Sequence, residues 1–246
     1  MKKTIITSVL GLSLLFSSCD VLQGAVGSMP STSGSGISAL SNDEVIRGLK
    51  EALTVGITNS VNITSLTDGF LKNNEIRLPF PQDAINAKKK ALEWGLDSQV
   101  EKFETTLNRA AEEAVKEALP IFKNAIVGMS LQDGFGVLNG GQGAATRFLK
   151  NNTTNQLIEA FAPKVVVAIE KVKLTEAWNP IVTKYNAAAP LLGYNKVNPD
   201  LNQYVTQLAI DGLFKMVEKE ENKIRENVGA RVTDLLQRVF GSLDKK

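Results

Sequence analysis

Residues 97–114 read DSQVEKFETTLNRAAEEA, and their apolar side chains recur at intervals of three and four residues. The resulting seam consists of Val100, Phe103, Leu107, Ala110 and Ala114. This spacing places the side chains on one face of an α-helix. Small residues toward the end of the seam let neighbouring helices approach closely. We therefore expect this helix to lie at the centre of the fold.

Helical patterns on both sides of this segment predict an all-α, bundle-like domain of about nine or ten helices. Ser41 and Glu44 form a capping box that begins the first helix. The two prolines in IRLPFP, residues 76–81, force extended backbone and leave room for at most one short strand, from Ile76 to Leu78. Further helices are expected over residues 82–94, 98–129, 131–138, 144–150, 153–171, 175–188, 198–226 and 232–240. Pro120 should bend or restart the second of these, and Pro163 should kink the helix at 153–171. The predicted domain spans residues 41–241, with a disordered tail at 242–246.

Residues 1–19 have the layout of a bacterial lipoprotein signal. Lys2 and Lys3 precede an apolar run, residues 5–16, that is too short to span a bilayer. Two serines then precede Cys19, the single cysteine of the chain. The segment resembles a lipobox, except that Phe16 stands where leucine is usual. We expect residues 1–18 to be removed and Cys19 to carry a diacylglyceryl group and an amide-linked acyl chain such as palmitate. The alternative is an ordinary secreted protein with a cysteine at its cleavage region.

Residues 19–40 are rich in glycine and serine and show no periodicity, so they are expected to form a flexible tether of roughly 25 Å reach. This arrangement predicts a lipid-anchored domain in the cell envelope that faces the periplasm. Asp20 resembles the inner-membrane retention signal of enteric bacteria. Other bacterial groups do not follow that rule, and both membranes therefore remain open.

The amino-acid composition limits the binding functions and catalytic mechanisms that the chain can support. Removal of residues 1–18 takes away Lys2 and Lys3 and no acid, which leaves 26 acidic residues balanced by as many basic ones. A balanced charge and 6% aromatic residues do not favour nucleic-acid binding. Histidine is absent, and the one cysteine is assigned to lipid. Ser-His and Cys-His catalysis, zinc sites and haem ligation are thereby excluded, and no catalytic residue, metal or cofactor is predicted.

Polar residues near the seam of the central helix are candidates for a site. Asn108 and Glu112 lie on its flank, where they would form part of a polar pocket or a boundary hydrogen bond. Arg109 and Glu113 point away from the seam and are expected to form an exposed pair. Arg147 follows a glycine-rich loop at the start of a helix, where backbone N–H groups bind anions. The alternative for that loop is a plain helix–helix connection.

Glu220 occupies a position that the spacing of Leu213, Val217 and Ile224 assigns to an apolar seam. A buried carboxylate needs a partner, and we expect Arg231 first and Arg225 second. The structural interpretation is an ion pair, and the functional one is an acid that faces a ligand. A speculative polar cluster then comprises Asn108, Glu112, Glu220, Arg225 and Arg231.

Several segments together are similar to a known family of bacterial exported proteins, domain-of-unknown-function family 4197. The matching residues are 48–53 (GLKEAL), 76–81, 108–112 (NRAAE), 144–146 (AAT), 211–214 (DGLF) and parts of 220–241. The resemblance implies a helical domain, often behind a lipoprotein signal. It implies no activity.

Three functions follow as hypotheses. The first is a non-enzymatic envelope lipoprotein that binds a partner protein or a small apolar ligand. The second is a carboxylate-based hydrolase that uses two of Glu112, Glu113, Glu220 and Glu221, which would have to lie roughly 5–9 Å apart in a cleft. The third is a carrier of an apolar ligand, which requires a continuous apolar cavity between helices.

Overall fold

The computed structural model describes residues 41–244. Within that range the chain forms nine α-helices and no strand, which confirms the all-α prediction. The helices are α1 (Asn42–Ser65), α2 (Ile85–Glu93), α3 (Asp97–Ala114), α4 (Ala118–Val127), α5 (Leu131–Asn139), α6 (Ala144–Lys171), α7 (Leu174–Ala188), α8 (Asn202–Glu226) and α9 (Asp234–Gly241). Short 3-10 turns occur at Gln82–Ala84, Val115–Glu117, Ala189–Leu192 and Val228–Ala230. The predicted signal, Cys19 and the tether lie outside the described residues.

Helix α3 is central, as its seam predicts. Phe103, Leu107 and Ala110 are completely buried, and the helix packs against α1, α6, α7 and α8. Helices α6 and α8 pack against each other more extensively than any other two helices in residues 41–244, and α1 also packs against α8. The short helices α2, α5 and α9 cover the outside of these long ones.

The capping box at the start of α1 is confirmed. The Glu44 amide donates to Ser41 Oγ at 3.2 Å, and the Ser41 amide donates to Glu44 Oε2 at 3.0 Å. These two bonds satisfy amide donors that a helix start leaves without partners. The first helix therefore begins where the sequence predicts.

Residues 66–81, which we call the strap, run from the end of α1 toward α2. The expected extended course is present from Ile76 onward: Ile76, Leu78 and Phe80 are buried while Arg77 and Pro79 are exposed, the alternation of an extended chain. No strand pairs with the strap in residues 41–244. The Asn108 side chain of α3 instead forms hydrogen bonds with the amide and the carbonyl of Leu78.

The predicted break between helices at residues 150–153 is wrong, because α6 runs unbroken from Ala144 to Lys171. Thr153 and Thr154 were expected to cap a second helix. Instead each hydroxyl donates to the carbonyl four residues earlier, of Leu149 and Lys150, at 2.7 and 2.6 Å. A threonine that bonds back in this way is accommodated inside a helix.

The start of α8 also differs from the prediction. Residues 198–200 form successive side-chain turns: Asn198 Oδ1 accepts from the Asp200 amide at 2.9 Å, and Asp200 Oδ1 accepts from the Asn202 amide at 2.8 Å. The helix begins only at Asn202. Asparagine and aspartate favour such turns as well as helix caps. At the other end, α9 begins at Asp234 behind a Thr233 cap rather than at Val232.

Candidate functional site

Asn108 and Glu112 attach the strap to α3. Asn108 accepts from the Leu78 amide at 2.8 Å and donates to the Leu78 carbonyl at 3.2 Å, as a neighbouring strand would. Glu112 Oε1 accepts from the amides of Phe70 and Leu71 at 3.1 and 3.2 Å. Both side chains are buried. Asn108 also donates to the Glu104 carbonyl of α3 at 2.9 Å, and Glu112 also accepts from Arg109. The two side chains therefore form hydrogen bonds at the boundary between the helix and the strap and do not line a polar pocket.

The expected Arg109–Glu113 pair is wrong. Arg109 donates to Glu112 at 2.6 Å and to Asp68 of the strap at 2.5 Å, and its side chain is only 26% exposed. Glu112 and then Asp68 raise the pKa of Arg109. Glu113 instead pairs with Lys116 and Lys171. The strap covers the side of α3 that the helix pattern alone assigns to solvent.

One ion pair of α8 closes the corner between α5 and α6. Glu221 accepts from the amides of Ala145 and Thr146, at 2.9 and 2.8 Å, and from the Thr146 hydroxyl at 2.8 Å. Arg225 donates to Glu221 at 2.9 Å and to the carbonyls of Val137 and Leu138 at 2.8 and 3.1 Å. An acid thus lies at the start of α6 and a base at the end of α5, as the two helix dipoles favour.

The amides that follow the glycine-rich loop, those of Ala145 and Thr146 in the first turn of α6, bind a carboxylate of the protein itself. The Glu221 carboxylate occupies the start of the helix, where an external anion was expected. Arg147 does not reach toward it; the guanidinium folds back and donates to the carbonyls of Gln142 and Gly140 at 3.0 and 3.2 Å. The loop is therefore a plain helix–helix connection stabilised by Arg147.

Glu220 is buried, as its seam position predicts, but neither expected arginine is its partner. It accepts from Asn59 of α1 at 3.3 Å and lies 3.5 Å from Lys223. The prediction fails because adjacent helical positions point about 100° apart. Glu221, one residue further, faces Arg225, whereas Glu220 faces α1.

Arg231 has a different acidic partner. Its guanidinium forms two bonds to Asp244, at 2.5 and 2.9 Å, and donates to the carbonyls of Ile224 and Arg225 at 3.0 and 2.8 Å. Arg231 is 2% exposed, and it lowers the pKa of Asp244. Asp244 lies in the predicted disordered tail, so ordered contacts extend past residue 241.

The speculative polar cluster therefore does not form one site. Asn108 and Glu112 bind the strap, Glu220 faces α1, and the two arginines have different acidic partners, Glu221 for Arg225 and Asp244 for Arg231. The four acids of the hydrolase hypothesis are divided in the same way: Glu112 binds the strap, Glu113 two surface lysines, Glu220 helix α1, and Glu221 the α5–α6 corner. Each carboxylate is engaged by structural donors. The proposed acid pairs share no hydrogen-bond partner in residues 41–244.

The core offers little room for an apolar cargo. A cavity lined by Leu49, Ile57, Val217 and Phe240 has a volume of about 20 Å³, close to the size of one water molecule. A lipid chain needs far more space. The carrier hypothesis therefore gains no support from this cavity.

A larger groove lies where α8 meets the end of the strap and the segment before α8. Its volume is about 350 Å³, within the range of ligand-binding pockets. The groove has apolar walls, and Asp83 and Asp200 contribute acidic side chains at exposed positions. Its lining residues are Pro81, Asp83, Trp178, Val197, Asn198, Asp200, Leu201, Gln203, Tyr204, Gln207 and Leu208.

Trp178 is the residue of the groove that stands out. It stacks on Phe103 with ring centroids 4.6 Å apart and meets Phe80 edge-on at 5.6 Å. It is 1% exposed, and its indole N–H is the one buried side-chain polar group of residues 41–244 that lacks a hydrogen-bond partner. Trp178 also lines a second cavity, of about 120 Å³, on the side of Pro199 and Asn202.

The groove has a fixed frame. Asn186 of α7 clamps Val197, accepting from its amide at 2.8 Å and donating to its carbonyl at 2.9 Å. The Tyr204 hydroxyl donates to the Pro79 carbonyl at 2.8 Å, which ties α8 to the strap. Burial, with a contribution from Asp83, raises the pKa of Tyr204 to about 12, so this hydroxyl keeps its proton at neutral pH. The residues of this site come from separate segments of the chain, so the sequence alone does not indicate it.

Two further properties concern the described part of the chain. No helix in residues 41–244 is both long and apolar enough to cross a membrane. In the same residues, acidic side chains do not gather into a group that could bind a metal ion.

The fold and the groove together define the class of protein. It is an all-helical domain in which the strap is hydrogen-bonded to α3 and a groove lies beside the end of the strap. The chain belongs to the family described as Protein of unknown function (DUF4197), whose model matches residues 39–241. This match confirms the resemblance drawn from the sequence motifs. No curated protein and no solved structure matches the chain.

Proposed function

We propose that this protein is a lipid-anchored component of the bacterial cell envelope whose helical domain binds a ligand without catalysing a reaction. The proposed localisation rests on the sequence of residues 1–19, with Cys19 as the lipid-bearing residue. The binding role rests on the geometry of residues 41–244. Binding to nucleic acid is not part of the proposal, since the mature chain is formally neutral.

The groove at Trp178 is the observation that carries the binding role. Buried polar groups in proteins are nearly always hydrogen-bonded, and an unpaired donor costs roughly 1–3 kcal/mol. Trp178, whose indole N–H has no partner in residues 41–244, forms part of the wall of this groove. The groove has a volume of about 350 Å³ and a wall that combines apolar side chains with the carboxylates of Asp83 and Asp200. This size and lining are those of a ligand-binding pocket.

The catalytic alternative lacks a comparable observation. A hydrolase of this composition would need two carboxylates that face a common cleft. The four candidates instead accept hydrogen bonds from backbone amides, lysines, an arginine and an asparagine. The function that the geometry supports best is therefore binding.

Site-specific photocrosslinking in living cells tests this function. A photoreactive amino acid replaces Gln203, which is exposed at the groove, and in a matched strain it replaces Gln156, which is exposed on α6. After irradiation, intact-mass analysis of the purified protein measures any adduct. We expect a discrete adduct at position 203 that is absent at position 156. The same adduct profile at both positions would refute a binding role for the groove.

A further inference from the structure

The turn between α7 and α8 presents an apolar loop to solvent. Residues 190–196 read PLLGYNK, and all of them are exposed. Leu191 is 89% exposed, the largest value among the large apolar side chains of residues 41–244, and Leu192 and Tyr194 are 44% and 42% exposed. Single exposed apolar residues are common on protein surfaces, whereas adjoining ones mark contact sites. The loop is therefore a candidate contact surface.

The fold holds this loop in a fixed shape. The Tyr194 amide donates to the Ala189 carbonyl at 2.9 Å, which closes the turn. The Tyr194 ring stacks on the buried ring of Tyr185 in α7, with centroids 6.5 Å apart. Gly193 has a φ of +72°, a conformation that glycine adopts without strain. The two leucines lie within this closed turn, so the folded backbone itself sets their exposure.

Lysines lie around the loop. Lys184 of α7 is exposed, and its Nζ lies 4.9 Å from the centre of the Trp94 ring, just after α2. Lys196, the last residue of the loop, is exposed as well. Lys90 of α2 is close enough to Tyr194 for the two side chains to interact electrostatically. Helix α2, helix α7 and the loop each supply one of these charges.

Acidic residues are scarce in the same segments. Residues 177–199 contain two lysines and no aspartate or glutamate. Helix α2 contains three consecutive lysines, residues 88–90, and one acid. That acid, Glu93, pairs with Lys90 at 2.6 Å and raises its pKa. The surface around the loop is therefore positively charged, whereas the mature chain as a whole is balanced.

This combination fits an anionic lipid bilayer. Tryptophan and tyrosine are enriched at membrane interfaces, leucine enters the acyl-chain boundary, and lysine is attracted to anionic headgroups. A protein partner fits less well, because lysine is depleted in protein–protein interfaces. We propose that the loop docks on an anionic bilayer, with Leu191 and Leu192 at the acyl-chain boundary and the three lysines at the lipid phosphates. This contact goes beyond the ligand-binding role of the groove and does not depend on Cys19.

The full chain in lipid vesicles tests this docking. The chain is incorporated from detergent into vesicles of phosphatidylcholine with brominated acyl chains, with or without phosphatidylglycerol. In a Trp94→Phe background, Leu191→Trp places a fluorophore on the loop and keeps the position apolar. Trp178 is then the one other tryptophan, and it is 1% exposed. Because bromine quenches tryptophan only at short range, loss of emission reports contact of the loop with the acyl chains.

Leu66→Trp in the same background is the matched control. Leu66 is 65% exposed and directly follows α1. It lies two residues before Asp68, which pairs with Arg109, about 18 Å along α3 from the start of that helix. The loop lies near Trp94, just before α3 begins. The two reporters are therefore alike in exposure and are placed at different ends of α3.

We expect quenching at position 191 to exceed quenching at position 66 at least about twofold in vesicles that contain phosphatidylglycerol, and to fall without that lipid. Lys184→Glu and Lys196→Glu should each reduce quenching at position 191 about twofold or more, because each reverses a charge at the membrane surface. Lys72→Glu changes a lysine that is 76% exposed near the control position and should have no effect. Added salt should reduce the quenching, because exposed charges are screened.

Other results would overturn the proposal. Equal quenching at positions 191 and 66 would show that the loop does not dock, and equal quenching with and without phosphatidylglycerol would show that the lysines do not contribute. Flotation of the vesicles shows separately whether the chain is attached to them. A chain that floats without quenching at position 191 contradicts the docking and leaves the lipid anchor intact, whereas a chain that does not float contradicts both.

Photocrosslinking in living cells distinguishes a bilayer from a protein partner. A photoreactive amino acid that replaces Leu192 should yield lipid adducts in intact-mass analysis of the purified protein. A single protein adduct at this position, without lipid adducts, would assign the loop to a protein interface and would refute the docking on lipid.

Discussion

The pair formed by Glu221 and Arg225 offers the sharpest test of how the fold is held together. Arg225→Met keeps much of the side-chain length and removes the charge. Glu221 would then lie buried without its ionic partner, and the carbonyls of Val137 and Leu138 would lose their donors. Removing one member of a buried pair costs roughly 3–5 kcal/mol. For a domain of this size each kcal/mol lowers the melting temperature by about 2–4 °C, and we expect a fall of about 6–20 °C.

The double variant Glu221→Leu/Arg225→Met separates this corner from an ordinary ion pair. Replacing both members of a simple buried pair by apolar residues is often harmless. Here it would leave the amides of Ala145 and Thr146 and the Thr146 hydroxyl without their acceptor. Each unsatisfied group costs about 1–3 kcal/mol. The double variant should therefore remain clearly destabilised.

Thermal and urea unfolding followed by circular dichroism measure both effects. Lys223→Met is the matched control, since this lysine lies two residues before Arg225, is 55% exposed and approaches Glu220 only to 3.5 Å. It should change the free energy of unfolding by less than about 1 kcal/mol. If Arg225→Met behaves like Lys223→Met, or if the double variant regains wild-type stability, the account of this corner is wrong.

Three further predictions concern other parts of the chain. Asn108→Ala should destabilise the domain by about 1–3 kcal/mol through the loss of two bonds to Leu78. Relative to the wild type, hydrogen exchange of the variant should increase more in residues 76–80 than in α3. Asp244 has a lowered pKa, so its pairing with Arg231 is complete above the ordinary value of 3.8 and is lost as the pH falls through the lowered value. The protection of the amides of residues 242–244 against hydrogen exchange, corrected for the intrinsic pH dependence of exchange, should fall over that acidic range and stay constant above it. Cys19→Ser should accumulate as an unprocessed precursor that is poorly anchored, and normal processing and membrane attachment of this variant would end the lipoprotein proposal.

The sequence predicts the helices well because each depends on local patterns. The capping box at Ser41 and the seam around Phe103 involve residues within a turn or two of each other, and both are confirmed. The prediction for Thr153 is wrong because a threonine can either cap a helix or donate to the carbonyl four residues earlier inside one. The residues next to Thr153 do not decide between these two roles. The choice depends on whether the preceding helix continues.

The site residues were harder to predict because their partners are distant in sequence. Arg109 points away from the apolar seam, yet Asp68 of the strap, 41 residues earlier, covers it. Glu220 and Glu221 differ by one helical position, and only the packing of α1 and of the α5–α6 corner decides which faces Arg225. The groove combines a residue of α7 with residues from before α2 and from the start of α8. A single sequence contains no signal for such a meeting.

The Glu221 carboxylate at the start of α6 also sets an order of events. Its oxygens accept hydrogen bonds from amides 75 and 76 residues earlier in the chain, and Arg225 donates to carbonyls 87 and 88 residues earlier. A chain that emerges N-terminus first, from a ribosome or through a translocation channel, presents the loop at residues 140–143 long before residues 221–225 follow. Until then the end of α5 and the start of α6 lack the groups that complete them. The corner between α5 and α6 can therefore be completed only after nearly the whole chain has emerged.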